Sequence, residues 1–518
     1  MPRLRRTIRF VAPAAAAVSL VVAGPALAAP GHVTTRHTAK APKTGGSPAT
    51  SFVGGVLPPP PPGSTAQYNI AGEPQIRADG AGNDVITSED GLGAGTDAWR
   101  STDGGLSYTS LPQPNAVSSA SAGTTGLAPG GGDTDVATAP VKNANGFYNI
   151  YVASLTLGNI TLSVSTDGGA SWTDNPVAAT VPGDDREWIA PIGADGYVLS
   201  YHAISTDDQI IVNEGVVQDG DAVTVMTYDA FDPSTAAAGT NDNELGNIAV
   251  DQLTGDVYQV FAACPSALTA QATCAGNSSA YMAVGTPTGT VPGTDLPLFS
   301  FADHDVYDGP ATATLDNNFP NVAVDRAGNV YAAWSDDHDV SVAYSTDHGA
   351  TWSSPKKVNS GAAVTAIFPW MTALAPGKVD IAYYATPAPE NDQTCATSSA
   401  SDPCQTEPWY VYMAQDVTTT AGGGWSQVQV TPAAVHLGGV CQGGISCTAT
   451  GNDNRDLYDD FGIAASPTTG LASIAYTDDQ YAQNVGTANA GECTAAQTDS
   501  VSCDHTSFAT QTAGTAIN

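Results

Sequence analysis

One eight-residue pattern occurs three times in this chain and constrains the fold more than any other feature. The copies are Ser101–Tyr108 (STDGGLSY), Ser165–Trp172 (STDGGASW) and Ser345–Trp352 (STDHGATW). Each reads Ser-Thr-Asp-x-Gly-x-Ser/Thr-aromatic and follows a short apolar run that is typical of a strand. The Asp carboxylate can accept backbone N–H groups across a tight turn, and the Gly supplies a position with positive φ. The pattern therefore predicts three hairpins of one geometry, each closed by a buried aromatic ring.

This motif resembles the Asp-box, or BNR repeat, of the sialidase superfamily, whose members are β-propellers. The resemblance covers most of the chain from Glu73 onward. It implies a propeller in which the boxes are structural hairpins remote from the active site. Its specific motifs are therefore motifs of the fold, and the function has to be argued from the site itself.

The spacing of the copies and a second, out-of-phase motif predict the number of blades. Ser165 follows Ser101 by 64 residues, and Ser345 follows Ser165 by 180 residues, which is three repeats of about 60. The second motif is an inner strand, a turn and an aromatic-rich return strand, and its seven copies begin at Glu73, Asp133, Glu187, Leu245, Phe319, Phe368 and Asp460. We predict an all-β fold, a single β-propeller of seven four-stranded antiparallel blades. Six blades are the alternative, because sialidase catalytic domains have six.

The chain divides into three segments by composition. Residues 1–28 have leading arginines, an apolar stretch and a small-residue cleavage site, which is typical of a secretory signal peptide. Residues 29–63 are low in complexity and end in five prolines, which predicts a linker. Residues 64–518 are then the propeller domain, and the protein is expected to be secreted and extracellular.

The cysteines favour the same compartment. The eight cysteines form four close pairs, which are Cys264/Cys274, Cys395/Cys404, Cys441/Cys447 and Cys493/Cys503. We predict disulfides between these neighbours, because secreted proteins stabilise small-residue loops in this way. A zinc site is not favoured, since the spacings and nearby histidines that zinc requires do not form a set.

The charge of the chain excludes one class of partner and suggests another. With 51 acidic and 16 basic residues, the formal net charge is −35. Such a surface repels nucleic acids and anionic membranes. Solubility is one interpretation of this charge, and cation binding is the other. No cofactor is expected to be required, but carboxylates at the starts of inner strands could bind Ca²⁺. These candidate ligands are Asp133, Asp135, Asp185, Asp242, Glu244 and Asp460.

The resemblance also suggests a catalytic site. Exo-sialidases bind the substrate carboxylate with three arginines and use a Tyr nucleophile paired with a Glu. Here Arg77, Arg186 and Arg455 lie at or near the starts of inner strands, and Glu187 and Tyr458 are close to two of them in sequence. The family's Phe/Tyr-Arg-Ile-Pro signature is missing. The alternative interpretation is that these arginines form ion pairs in an acid-rich protein.

Two functional hypotheses follow. The first is a secreted sialidase-like propeller that binds extracellular glycans or protein surfaces. The second is a divergent exo-α-sialidase or another exo-glycosidase that uses an arginine clamp. In both cases the expected partner is an extracellular glycan or glycoprotein, and the expected oligomeric state is a monomer.

Overall fold

The computed structural model describes the part of the chain that contains the predicted propeller. The described residues are 49–62, 69, 71–115, 130–156, 158–206, 208–232, 243–264, 276–310, 313–315, 319–393, 406–444, 447, 455, 457–459, 461–482, 491–492 and 504–518. Among them, no helix has the length and apolar character needed to cross a membrane. The predicted signal peptide and most of the predicted linker lie outside these residues.

Strands make up almost all of the regular structure. From the amino-terminal side to residue 231 they are β1 (Ser51–Val56), β2 (Gly72–Ala78), β3 (Asp84–Glu89), β4 (Thr96–Ser101), β5 (Thr109–Ser110), β6 (Thr134–Lys142), β7 (Tyr148–Leu155), β8 (Ile160–Ser165), β9 (Thr173–Asn175), β10 (Asp184–Ile192), β11 (Gly196–Ala203), β12 (Gln209–Gln218) and β13 (Asp221–Phe231). The next strands are β14 (Asn243–Val250), β15 (Val257–Ala263), β16 (Ser279–Thr290), β17 (Pro297–Tyr307), β18 (Asn321–Val324), β19 (Val330–Ser335), β20 (Val340–Ser345), β21 (Lys356–Lys357), β22 (Thr365–Ala373), β23 (Val379–Thr386), β24 (Pro408–Asp416) and β25 (Ser426–Gln429). The last are β26 (His436–Leu437), β27 (Gly462–Ala465), β28 (Ala472–Asp478), β29 (Tyr481–Ala482), β30 (Gly491–Glu492) and β31 (His505–Ala513).

The strands form seven antiparallel blades, as predicted. Blades one to six are β2–β5, β6–β9, β10–β13, β14–β17, β18–β21 and β22–β25, and blade seven is β27, β28, β31 and β1. Strand β26 adds to blade six through β24, and β29 pairs with β30 outside the blades. Each inner strand contacts the inner strand of the next blade, and β27 of blade seven contacts β2 of blade one. The ring is therefore closed, and the protein is a seven-bladed β-propeller.

Blade seven is completed by strand β1, which lies far from its other strands in the sequence. Strand β1 pairs antiparallel with β31, and the side chain of Phe52 is buried. The sequence-based boundary placed these residues in the linker, because the low-complexity segment on one side and the prolines on the other obscure a six-residue strand. The structure instead assigns Ser51–Val56 to blade seven.

The three repeated motifs form the predicted hairpins. In the first, Asp103 accepts backbone N–H groups from Leu106 and Ser107, and Ser107 Oγ donates to the same carboxylate at 2.6 Å. Asp167 and Asp347 accept equivalent bonds in the other two copies. These bonds lower the pKa of Asp347 to about 2, mainly through Thr351 and then Ser345.

The hydrophobic core lies between neighbouring blades. One cluster joins blades two and three through Tyr151 and Tyr197, and another joins blades five and six through Tyr331 and Tyr383. Because both faces of each sheet are covered, the middle strands are buried almost continuously, as β15 is. One predicted disulfide is present, between Cys441 and Cys447. Cys264 is also disulfide-bonded, and the other five cysteines lie outside the described residues.

Candidate functional site

Irregular starts of the inner strands direct side chains into one end of the central channel. In blades one, three and six the pairing of the inner strand shifts at its first residues. Each shift contains a non-glycine residue with positive φ, which is Glu73 (48°), Arg186 (51°) or Phe368 (53°). Pro74 and Pro369 contribute to two of these shifts because they have no N–H for the ladder. Such strained bulges are common where a strand has to re-aim a functional side chain.

Arg186 is the centre of the group of charges at this end of the channel. Its Nη2 lies 2.6 Å from Asp459 Oδ2 and 3.6 Å from Glu73 Oε1. Its Nε lies 3.4 Å from Asp133 Oδ2, and its guanidinium carbon is 4.0 Å from the centre of the Phe319 ring. These contacts connect residues from blades one, two and five with the segment before blade seven.

Arg455 reaches the same acidic residues from that segment. Its Nη2 forms an ion pair with Asp459 Oδ2 and lies 3.5 Å from Glu73 Oε1. The backbone N–H of Asp459 donates to Glu73 Oε1 at 3.1 Å. Two of the three predicted arginines therefore converge, and both are held by carboxylates. We call this group the strand-start cluster, and it comprises Glu73, Glu89, Asp133, Arg186, Glu187, Arg455 and Asp459.

A layer of aromatic rings packs across the channel beside this cluster. The Trp188 ring lies 5.9 Å from the Phe319 ring and 5.1 Å from the Trp370 ring, measured between centroids. A cavity of about 290 Å³ is lined by residues of all seven inner strands, including Trp370 and Arg77. Of the described residues that line it, none belongs to the strand-start cluster. The channel therefore contains a charged part and a separate, mainly apolar part.

Arg77 lies in the apolar part, apart from the other two arginines. Its Nη2 bonds Asp135 Oδ1 at 2.9 Å, and its guanidinium carbon is 5.7 Å from the Trp370 ring. Its Nη1 donates to Gln75 and to the carbonyl of Ile76. Arg77 lies four positions beyond Glu73 in β2, which places it up to about 13 Å further along the strand, away from the strand start. The three predicted clamp residues thus do not share one pocket.

Asp135, a predicted cation ligand, instead connects two blades. Its Oδ2 accepts the backbone N–H of Ile189 in blade three at 2.9 Å. Asn247 accepts from Val322 and Asn321 accepts from Met371 in the same way, from one inner strand to the next. Inner strands have one open edge, so these side chains satisfy backbone donors that the ladder leaves free.

Several carboxyl groups of the cluster are buried without a full set of partners. Among the described residues, Glu73 Oε2, Asp459 Oδ1 and both carboxyl oxygens of Glu187 have no hydrogen-bond partner. Glu187 is only 2% exposed, and burial raises the pKa of its carboxyl well above the ordinary value. Burial also raises the pKa of Glu89 to about 8. Unsatisfied buried acceptors in a charged site are where a ligand or a proton is expected.

Three of these carboxyl groups could hold a metal ion. One oxygen from each of Glu73, Glu89 and Asp133 lies within 4.8 Å of the others. Glu89 comes to this point because it ends β3 directly opposite Gly72 at the start of β2. Of the other predicted ligands, Asp185 is exposed at the start of β10 and Glu244 lies at the start of β14. Asp242 and Asp460 lie outside the described residues.

Tyr458, the predicted nucleophile, packs beside the cluster. Its φ is 57°, its ring lies 5.6 Å from the Arg455 guanidinium carbon, and its hydroxyl donates to Asp504 Oδ2 at 3.5 Å. Its ring also packs so closely on Gly72 that a Cβ there would lie 2.2 Å from it. The structure therefore places Tyr458 beside Arg455, which is three residues away in the sequence.

The sequence reasoning did not select Glu73, Glu89 or Phe319 as functional residues. A signal for two of them was present, because Glu73-Pro and Phe319-Pro occupy the same place in the inner-strand motif as Phe368-Pro. Such a shared position suggests that these side chains all point into the channel. For Glu89 there was no such signal, since only the pairing of β2 with β3 brings it to the cluster.

Comparisons with known proteins give likeness of fold only. No family model matches the chain, and no curated protein matches it. A mutant of the Aleuria aurantia lectin in complex with Fucα1-6GlcNAc is 12% identical, covers 70% of this chain and 97% of that one, and has a TM-score of 0.39. A Fusarium graminearum GH93 α-L-arabinofuranosidase in complex with arabinobiose is 12% identical, covers 63% of this chain and 91% of that one, and has a TM-score of 0.40. A Xanthomonas campestris GH74 xyloglucanase is 12% identical, covers 82% of this chain and 52% of that one, and has a TM-score of 0.42.

Proposed function

We propose that this chain is a secreted propeller that binds a glycan, free or on a glycoprotein, at the strand-start cluster. The observation that supports this most is the combination of two guanidiniums with buried carboxyl oxygens that lack partners. Arg186 and Arg455 both contact Asp459, and Glu73 and Glu187 carry unpartnered oxygens among the described residues. Sugar hydroxyls can donate to carboxylates and accept from guanidiniums at the same time.

The cluster is reachable from solvent at some of its members. The side chain of Arg455 is 24% exposed and that of Asp133 is 18% exposed, whereas Glu73 and Asp459 are nearly closed off. The half-buried ring of Tyr458 lies beside Arg455 and offers an apolar face to a sugar ring. Ca²⁺ is the candidate ion of the same site, since carboxylate oxygens are its preferred ligands.

The first test is a glycan array with the purified full chain, compared with Arg455→Ala. We expect the variant to bind the recognised glycan at least about tenfold more weakly, because a charged hydrogen-bond donor in a polar site is lost. Arg326→Ala is the matched control. Arg326 lies beyond the other end of an inner strand, where its Nη2 contacts only the carbonyl of Pro467 in the described structure.

Binding of no glycan on the array would contradict the proposal. Equal binding by the Arg455→Ala variant and the wild type would contradict the placement of the glycan site at the strand-start cluster. A thermal melt of each variant separates loss of binding from loss of the fold.

A second candidate function is hydrolysis of a glycoside, including an α-sialoside, and Glu187 is the observation that favours it. Burial raises the pKa of Glu187 well above its ordinary value, and Asp133 is the charged neighbour that raises it further. Glycosidases use a pair of carboxyl groups in which the one with the raised pKa serves as the general acid.

This candidate is tested by release of a fluorogenic aglycone from an α-sialoside and from a panel of other glycosides. Turnover that falls about a hundredfold or more in Glu187→Gln would support a general acid at this position. Glu214→Gln removes another buried carboxyl, one that accepts from Tyr228 on blade three, and is expected to leave turnover unchanged. Absence of turnover on every substrate would contradict hydrolysis, and glycan binding would then be the one remaining candidate function.

A further inference from the structure

We propose that Glu73, Glu89 and Asp133 form a binding site for one divalent cation with the ligand preferences of Ca²⁺. The three side chains come from the start of β2, the end of β3 and the residue directly before β6. One carboxylate oxygen of each lies within 4.8 Å of the other two. Two oxygens that each bind one ion at about 2.4 Å can be as much as about 4.8 Å apart. A single Ca²⁺ can therefore contact all three carboxylates.

A second observation points to a missing ligand at the same place. Glu187 is 2% exposed, and neither of its carboxyl oxygens has a hydrogen-bond partner among the described residues. Burial raises the pKa of its carboxyl most, and the neighbouring charge of Asp133, one of the proposed ligands, raises it further. Glu73 Oε2 is likewise buried and without a partner in the described structure. Buried carboxyl oxygens without partners are rare unless they bind an ion, a water or a proton.

The balance of charge in the cluster also leaves room for a cation. Five carboxyl groups, those of Glu73, Glu89, Asp133, Glu187 and Asp459, face two guanidiniums. Arg186 lies 2.6 Å from Asp459, and its distances to Asp133 and Glu73 are longer, at 3.4 and 3.6 Å. A divalent ion would balance most of the remaining negative charge in this buried position.

The ligand set favours calcium over other biological divalent ions. All of the candidate ligands are carboxylate oxygens, whereas zinc and copper prefer imidazole and thiolate ligands. Magnesium requires near-ideal octahedral geometry at about 2.1 Å, and three carboxylates from separate strands do not impose it. Calcium accepts six to eight oxygens in irregular geometry, with solvent completing the shell at the exposed side of Asp133.

The test is titration of the full chain, freed of metal by chelation, with CaCl₂ in a calorimeter at pH 7.5. We expect one Ca²⁺ per chain, with Mg²⁺ binding at least about tenfold more weakly. Glu89→Gln keeps the shape of the side chain and removes one charged ligand, so it should weaken Ca²⁺ binding at least about tenfold. The control is Glu214→Gln, which removes a buried carboxyl on blade three and should bind Ca²⁺ as the wild type does.

A second readout guards against a variant that fails to fold. Saturating Ca²⁺ should raise the melting temperature of the wild type and of Glu214→Gln, and should raise that of Glu89→Gln much less. The proposal is overturned if the wild type binds no Ca²⁺, or if Glu89→Gln and Asp133→Asn both bind it with unchanged affinity. It would also be overturned by equal affinity for Mg²⁺ and Ca²⁺.

The site lies in the cluster for which glycan binding is proposed, but it does not depend on that function. If the protein binds Ca²⁺ but no glycan on the array, the cation site is supported and the glycan site is contradicted. If the protein binds a glycan in the presence of a chelator and shows no heat of Ca²⁺ binding, the glycan site is supported and the cation site is contradicted.

Discussion

At the scale of single residues, the acidic side chains near the starts of the inner strands have different roles. Asp133 takes part in the strand-start cluster, whereas Asp135, two residues later, accepts a backbone N–H from the next blade and pairs with Arg77. Asp133 lies directly before β6 and Asp135 lies within it, and the two carboxylates meet different partners although they are only two residues apart. Two acids that are neighbours in the sequence therefore have different partners in the folded protein.

Asp135 gives a prediction about stability. Asp135→Ala leaves the buried N–H of Ile189 without its acceptor and removes one partner of Arg77, which should lower the free energy of unfolding by about 1–3 kcal/mol. Asp135→Asn keeps an acceptor for Ile189 and should cost clearly less. Urea unfolding followed by tryptophan fluorescence measures both changes. Equal stability of both variants and the wild type would show that Asp135 does not connect the blades.

At the scale of elements, blade seven depends on a strand from the opposite end of the chain. Strand β1 supplies its outer edge by pairing with β31, while β27, β28 and β31 come from the carboxyl-terminal region. Phe52 contributes a ring that is 1% exposed, and Gly54 lies so close to the Phe508 carbonyl that a Cβ would be 2.5 Å from its oxygen. The contact is close-packed, so β1 is part of the propeller.

Two truncations test this role of β1. A chain that begins at Leu57 should lose several kcal/mol of stability and aggregate, because Phe52 is removed and the edge of β31 is exposed. A chain that begins at Ala49 retains β1 and serves as the control, with stability close to that of the full chain. Thermal unfolding and light scattering report the two effects. Matching melting temperatures for both truncations would mean that the ring closes without β1.

At the scale of the whole molecule, many carboxyl groups of this acidic chain are buried in the folded protein. Burial raises the pKa of Asp380 to about 7, that of Asp478 to about 8 and that of Asp84 to about 6. In each case loss of solvent around the charged form is the main cause. The folded state therefore holds protons that the unfolded chain releases at lower pH.

This distribution predicts the pH dependence of stability. Between about pH 4 and pH 8 the folded chain binds more protons than the unfolded chain, so stability should fall as pH rises through this range. Asp380 alone should contribute roughly 2–4 kcal/mol to the fall. Asp380→Asn should flatten the profile and stabilise the protein at pH 8, whereas Asp219→Asn, in an exposed turn, should leave it unchanged. Melting temperatures from pH 4.5 to 8.5 decide this, and a rise in stability toward pH 8 would contradict it.

The sequence by itself determined the three hairpins and favoured seven blades. The Asp and Gly of each repeated motif act within eight residues, so their hydrogen bonds follow from local chemistry, and the period of about 65 residues gives seven blades. The partnership of Arg186 with Asp459 was different, because it joins residues 273 positions apart in the chain.

Only the tertiary structure decided the composition of the site and the closure of the ring. The sequence places Arg77, like Arg186, at or near the start of an inner strand, yet in the structure the two arginines lie in separate parts of the channel. Glu89 joins the site through a strand pairing, and β1 joins blade seven across the length of the chain. The physical reason is that local turns are set by neighbouring residues, whereas a channel is formed by side chains from every blade at once.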